Sequence, residues 1–514
     1  MSNHMKGRES MNAQSSMAQS ARTMQTYRKL KWKEIDWKQA ELYVNRLQVR
    51  IVKAVQADKW RLVRRLQKLI TNSFYARALA VRRVITNKGK NTPGIDRVIW
   101  STDKDKIQAV YNLTANSYRA RPLKRTYIEK YGKKEKRPLG IPTMADRAMQ
   151  GLQLLALAPI AETTADRVSF GFRQNRGAQD AMEYMFKLLS KRTSPEWILE
   201  GDIKGCFDNI SHEWMLKNIS ADKRIMKQFL KCGYVDRKRL FPTTEGSPQG
   251  GLISPTYANL TLDGLEKLLL ERYSTSSTGH YHPNYNKHKV HPCRYADDFI
   301  VTANCKEILE DIKQMAEEFM NERGLKLSEE KTVVTNINDG FDFLGWNFRK
   351  FKGKLLIQPS AKSKKKVTEK LSQTVKYYRG AKQEFLITKL NQITKGWSEY
   401  HHCVCAKSTF SLIDHRLWEM LWKWAKRRHP RKCNKWVKNR YWHPKSGRRW
   451  SFRTDTIILY QMMDMPIIRI KSLNLNKNPF LDRDYFTKRK EEHGMKRKLA
   501  YQKSTAAYSG YYVL

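Results

Sequence analysis

The chain has 514 residues, 40% of them hydrophobic, a folding composition with room for several domains. Lys and Arg number 99 against 49 acidic residues, a formal net charge of +50 at pH 7. Charge of that size calls for a polyanion, nucleic acid before an anionic membrane surface. No stretch approaches the roughly 20 apolar residues of a spanning helix, so no membrane partner is expected. The most apolar run, 152–160, is short and holds Gln153 and Pro159. Residues 1–36 read as a polar tail without a signal-peptide core, although its few basic residues are compatible with a transit peptide. Seven cysteines without regular spacing argue against a disulfide framework and for a reducing compartment. Two His/Cys clusters, one of His280, His282, His288, His291 and Cys293, the other of His401, His402, Cys403 and Cys405, lack paired C-x-x-C spacing. They are read as surface-loop and helix residues rather than metal sites.

In chain order, Leu47, Ile51 and Val55 recur at a spacing of four, and Leu62, Leu66, Leu69 and Ile70 continue the pattern after a break at Asp58. Two amphipathic helices are predicted. Thr92-Pro93-Gly94 marks a loop. Tyr127-Ile128 and Leu139-Gly140-Ile141-Pro142 flank a basic, Gly-containing tip and predict a hairpin. Residues 197–203 read as a buried strand, after which Ser211 opens a helix. A turn-rich loop at 246–251 leads into a helix through Tyr257, Leu260 and Leu265. Residues 294–302 are apolar but interrupted by two adjacent Asp, the pattern of strand–turn–strand. From about residue 361 the chain turns helical, with stripes of Val367, Leu371, Val375; of Leu386, Leu390, Ile393, Trp397; and of Phe410, Ile413, Leu417, Leu421, Trp424. Three packed helices are expected. Between Lys423 and Trp450 there is no acidic residue, and Trp424, Trp436, Tyr441, Trp442 and Trp450 are interleaved with Lys and Arg. That composition suits a surface that neutralises phosphates and stacks on bases.

Phosphoryl transfer with two divalent metals needs carboxylates that converge on one point. Asp202 ends an apolar strand, where an unpaired carboxylate is costly and needs a cation or partner. Asp297 and Asp298 are hemmed in by Tyr295, Phe299, Ile300 and Val301. An Asp-Asp dipeptide alone is near chance in a chain of this length; the combination with Asp202 is what suggests a site.

Tyr295-Ala296-Asp297-Asp298 resembles the signature box of reverse transcriptases. Asp202-Ile203-Lys204-Gly205-Cys206-Phe207-Asp208-Asn209-Ile210 resembles the preceding palm motif. Ser247-Pro248-Gln249-Gly250-Gly251-Leu252-Ile253-Ser254-Pro255 is similar to the nucleotide-pocket motif of the bacterial branch. Arg137-Pro138-Leu139-Gly140-Ile141-Pro142 and Phe170-Gly171-Phe172-Arg173 resemble two upstream finger motifs. Gly324-Leu325-Lys326-Leu327-Ser328 to Lys331, and Phe343-Leu344-Gly345-Trp346, resemble two downstream ones. All stand in the family's order. The likeness runs over 37–485 and is nearest to group II intron-encoded reverse transcriptase/maturases. Trp422-Lys423-Trp424-Ala425-Lys426-Arg427-Arg428-His429-Pro430 resembles their maturase, or X, domain.

The resemblance implies an α+β right-hand polymerase fold. Fingers and palm with an N-terminal helical extension would span 37–357 and an α-helical thumb/maturase domain 358–450. Residues 451–514 would be a basic, DNA-binding-like remnant without the Cys/His-rich HNH endonuclease of many relatives. It implies that Asp202 and Asp297 bind two Mg²⁺ ions, with Mn²⁺ as the alternative, and that Asp298 supports them. Phe207 would lie beneath the incoming sugar, and Gln249, Arg137, Lys133 or Lys134, and Lys331 would serve the nucleotide pocket. Asp208 is assigned to helix capping, and Arg427, Arg428, Arg431 and Lys432 to RNA. The implied partners are group II intron RNA, an RNA template with DNA primer, target DNA and dNTPs. The implied compartment is the bacterial cytoplasm or an organelle. Two competing functions are a splicing-only maturase and a domesticated reverse transcriptase in defence.

Overall fold

A computed structural model describes residues 31–509 except 130–131, 133–134, 277–279, 281–284 and 446–447. The fold is α+β, and the chain divides into two interleaved compact units. The first comprises residues 1–165, 205–263 and 322–325; the second comprises 166–204, 264–321 and 326–514.

In the first unit the helices Trp37–Gln56, Trp60–Asn72 and Phe74–Thr86 pack around the helix Met144–Thr164. Asp36 starts the series by accepting from Gln39 N–H at 2.9 Å, satisfying one orphan donor of the first turn. The second helix buries Val63, Leu66 and Ile70, while Leu62 and Leu69 are exposed, contrary to expectation. A basic amphipathic helix offers two adjacent apolar stripes, and its neighbours select the one that continues through Val63. Pro159 lies inside the central helix, where it lacks the N–H that would bond Leu155 O. The buried side chain of Gln48 donates to that carbonyl instead, at 2.8 Å. A four-stranded sheet completes the unit, in the order Lys136–Ile141, Leu123–Glu129, Tyr234–Asp236, Arg239–Phe241. Its first two strands form the expected antiparallel hairpin, from Lys124 opposite Ile141 to Glu129 opposite Lys136.

The second unit is built on a four-stranded sheet in the order His291–Tyr295, Asp298–Ala303, Trp197–Asp202, Val333–Asn336, all neighbours antiparallel. The helix Lys306–Asn321 packs on it, and Ala178–Leu189 packs along its His291–Tyr295 edge. A three-stranded sheet of Phe341–Phe343, Trp346–Phe351 and Lys354–Pro359 follows. Next come the three helices Ala361–Tyr377, Gln383–His401 and Lys407–Arg428, which bury the expected stripes apart from the half-buried Ile393 and Trp397. The helix Arg483–Ser509 is the last element.

Candidate active site

The strand Trp197–Asp202 pairs with Asp298–Ala303 so that Asp202 stands directly opposite Asp298. Residues paired across antiparallel strands share one face of the sheet. Tyr295 pairs with Asp298 in turn, so Ala296 and Asp297 form the two-residue turn of a hairpin. Three local features hold this geometry. Gly201 has no side chain where a Cβ would lie 2.2 Å from Phe299 Cζ, so the Phe299 ring passes over the strand beside Asp202. Ala296 sits at φ +58°, a left-handed conformation costly for a residue with a side chain. Gly171 supports that turn from outside; a Cβ there would come within 2.3 Å of Ala296 N. The Phe170-Gly171 segment is fixed by Phe170 N–H donating to Arg294 O at 2.9 Å and Arg294 N–H to Val168 O at 3.0 Å.

Electrostatics follow from the crowding. Desolvation first, then the charges of Asp297 and Asp202, push the Asp298 carboxyl up to about 7. Asp298 still has an exposed edge, so the site is open to solvent while surrounded by protein atoms. Lys331 relieves part of the negative charge, its Nζ lying 2.6 Å from Asp202 Oδ2. It is delivered by a segment that runs antiparallel to residues 202–204: Ile203 bridges Leu327, Lys204 N–H donates to Lys326 O at 2.9 Å, and Ser328 N–H to Asp202 O at 2.8 Å. Glu200, two residues back on the strand, accepts from Thr335 Oγ1 at 3.3 Å, and burial raises its carboxyl.

The donor set is all oxygen and open, which suits a hard divalent cation that takes one or two carboxylates and completes its shell with water and phosphate. Among the described residues no group of three or more His, Cys, Asp or Glu is arranged as a metal cage. His282 lies outside them. Cys293 is fully buried in a strand, and His401, His402 and Cys403 are buried at the end of a helix, so those residues belong to the interior rather than to surface loops.

In the first unit the 246–251 loop is stitched to two other segments. Ser247 N–H donates to Phe207 O at 2.6 Å and Gly246 N–H to Ile210 O at 2.8 Å. Gly140 N–H donates to Gln249 O at 2.8 Å, tying the loop to the strand that carries the exposed Arg137. Gly250, at φ +113°, makes this approach possible, since a Cβ would lie 2.8 Å from Gly140 O. Phe207, Gln249 and Arg137 therefore belong to one assembly. Lys133 and Lys134 lie outside the described residues. Asp208 sits inside the turn Cys206–Asn209, whose N-cap position is Gly205, so Asp208 does not cap it.

The basic segment is reordered by burial. Trp424, Tyr441 and Trp442 are core residues, Trp436 is half-buried, and Trp450 is exposed. Arg427, Arg428, Arg431 and Lys432 are all exposed; Arg428 also donates to Arg379 O and Ala381 O at 3.0 and 3.2 Å and lies 4.7 Å over the Trp424 ring, and Lys432 Nζ lies 5.5 Å over the Trp436 ring. Sequence reasoning missed a ring ladder on Lys407–Arg428, whose half-buried Trp418 and Trp422 also pack against Trp442 and Trp450. His415 stacks on Trp418 at 6.2 Å, and Trp418 on Trp422 at 5.7 Å. The spacing of three then four residues was the available signal.

Comparison with known proteins assigns the class. Residues 128–348 match the family model described as reverse transcriptase (RNA-dependent DNA polymerase), and 32–113 match the N-terminal domain of reverse transcriptase. Residues 364–442 match the group II intron maturase-specific domain. The group II intron-encoded protein LtrA of Lactococcus lactis subsp. cremoris is 29% identical over 391 residues, 64% of this chain and 65% of LtrA. Protein YkfC of Escherichia coli (strain K12) is 30% identical over 343 residues, 59% of this chain and 88% of YkfC. Among solved structures, telomerase from Candida albicans aligns with a TM-score of 0.35 and 11% identity, over 62% of this chain and 64% of that one. The two reverse transcriptase family matches make the fold that of a reverse transcriptase. The chain belongs to the group II intron reverse transcriptase/maturase family, and the match spans about two thirds of LtrA's length. No helix among the described residues is long and apolar enough to cross a membrane.

Proposed function

We propose that this protein is an RNA-directed DNA polymerase that adds dNTPs to a DNA primer on an RNA template, and that it also binds its intron RNA to assist splicing and mobility. The observation that carries the reading is the Asp202–Asp298 pair at the hairpin whose turn holds Asp297. Asp202 and Asp297 would hold two Mg²⁺ ions, or Mn²⁺, with Asp298 in support. Bound there, the ions would favour ionisation of the primer 3′-hydroxyl and stabilise charge on the leaving pyrophosphate. The carboxylates orient on one face of the sheet, and Lys331, ion-paired with Asp202, serves the nucleotide pocket beside them. Phe207 excludes a ribose 2′-hydroxyl, Gln249 contacts the nucleotide, and Arg137, with Lys133 or Lys134, meets its triphosphate. Arg427, Arg431 and Lys432 face RNA phosphates, whereas Arg428 chiefly builds the thumb.

On this reading residues 37–357 are fingers and palm, 358–450 the thumb/maturase domain and 451–514 a basic C-terminal region. Target DNA is a further partner, and the protein works where intron RNA is made, in bacterial cytoplasm or in an organelle. The experiment is primer extension with purified protein, Mg²⁺, an RNA template and a DNA primer. Extension with dNTPs supports the reading; binding without extension would reduce the protein to a splicing-only maturase.

A further inference from the structure

The second unit contains a cavity of about 470 Å³, within the size range of small-ligand pockets. Its walls include the rings of Tyr295, Tyr400 and Phe486, and its rim carries Arg489, Lys490 and Lys496 from the helix Arg483–Ser509. This helix has little apolar face of its own, with Met495 and Leu499 exposed and Phe486 its buried anchor. Ion pairs hold it: Arg489 to Asp180, Arg497 to Glu399, and Lys471 to Glu492 at 2.7 Å. A helix polar on nearly all sides is retained when it has a charged partner to bridge.

Two further observations point to a ligand. The rim and walls bring four cations, Lys471, Arg489, Lys490 and Lys496, against two carboxylates, Asp180 and Glu492, and both carboxylates are already taken by ion pairs. Lys490 and Lys496 are exposed, and Lys496 adds to the Lys471 hydrogen bond and charge that lower the Glu492 carboxyl. The Arg489 Nε atom is buried without a hydrogen-bond partner, although its Nη2 is engaged by Asp180 and by Lys471 O. Unpaired buried donors are costly and mark places where an acceptor is missing. The floor of the cavity also has an address. Tyr295 is paired with Asp298, which is paired with Asp202, so its ring continues the row that the two carboxylates begin.

We infer that this cavity is a binding site for one nucleotide of a single-stranded nucleic acid, with the base against the rings and the phosphates on the Arg483–Ser509 helix. The inference rests on the polymerase reading for its partner and adds a set of contacts from the C-terminal helix. Aromatic faces accept any base, and the cations meet the phosphodiester that RNA and DNA share. The helix would then trade some of its ion pairs to carboxylates for pairs to phosphate.

The test uses the full chain and fluorescent oligo(U) and oligo(dT) twelve-mers, with binding followed by anisotropy across a salt series. Lys490→Glu/Lys496→Glu is predicted to weaken binding roughly tenfold at low salt and to lower the salt slope by about two. Ala178→Leu, which intrudes on the cavity, is predicted to weaken binding with the slope unchanged. Strands carrying 5-iodouracil should crosslink to Tyr295, Tyr400 or Phe486. Equal effects on both oligomers assign a general single-strand site, and an effect on one alone assigns that strand type. Unchanged affinity in the Lys490→Glu/Lys496→Glu protein, whose altered side chains are exposed and spare the core, overturns the inference. Wild-type primer extension is scored separately: an active enzyme with unaltered binding rejects the cavity alone, and an inactive one with altered binding rejects the polymerase reading alone.

Discussion

Asp202 and Asp298 face each other across adjacent antiparallel strands, and Lys331 Nζ lies 2.6 Å from Asp202. Asp298 is the member of this group whose carboxyl is pushed up to about 7, by desolvation and then by Asp297 and Asp202. A carboxyl raised in the folded state contributes stability below its unfolded value near 4, and that contribution is lost as pH rises through about 7. Asp298→Asn should therefore melt higher than wild type at pH 8 in the absence of metal and no higher at pH 4. Added Mg²⁺ should narrow the pH 8 difference. Scanning calorimetry with and without EDTA checks this, and an Asn variant less stable at pH 8 would contradict the crowding.

Gly201 makes room for the Phe299 ring, and with it sets where Asp202 and Asp298 sit. Gly201→Ala is predicted to cost about 1–3 kcal/mol by overpacking and to lower the rate of primer extension more than tenfold. Thermal melting and single-turnover extension measure the two effects. A folded variant with wild-type turnover would show that the ring is not what places the carboxylates.

Phe207→Val should let the enzyme add ribonucleotides. The ratio of kcat/KM for dNTP over rNTP is expected to fall by at least about tenfold, some 1.4 kcal/mol of discrimination. An unaltered ratio returns Phe207 to a packing role.

The basic segment separates into two behaviours. Neutralising Arg427, Arg431 and Lys432 together is predicted to weaken intron-RNA binding and reduce its salt slope by about three while leaving the melting temperature unchanged. Arg428→Ala should instead destabilise the thumb by about 1 kcal/mol, since it removes two hydrogen bonds to exposed carbonyls and a ring contact. RNA titrations and melting curves of wild type and these two variants tell the behaviours apart.

The parts of this architecture legible in the sequence are those set by local pattern. The strand–turn–strand around Asp297, the Ser211 cap that accepts from Trp214 N–H at 3.2 Å, and the three apolar stripes of the helices Ala361–Tyr377, Gln383–His401 and Lys407–Arg428 all follow from periodicity or turn chemistry. What escaped depends on partners distant in the chain. Composition marked the aromatics of 424–450 as a surface, but their burial is decided by packing against one another, as when Trp424 meets Tyr441 at 5.3 Å and Trp442 meets Phe452 at 5.1 Å. Val63 rather than Leu62 faces inward because neighbouring helices choose between two stripes. The rescue of Leu155 O by Gln48 and the contact of Lys331 with Asp202 join residues far apart in sequence, beyond the reach of any window. Asp208 is the reverse case, where a local rule for acids near helix starts misplaced a residue that lies three positions past the N-cap Gly205.

On the proposed reading the Asp202, Asp297 and Asp298 carboxylates hold the metal ions that carry nucleotide transfer. The most direct test is single-nucleotide incorporation into a DNA primer on an RNA template with Mg²⁺, comparing wild type with Asp297→Ala. The account predicts incorporation by wild type, a loss of at least about 10³-fold in the variant, and RNA affinity within a factor of about two for both proteins. Incorporation by Asp297→Ala at the wild-type rate would contradict it.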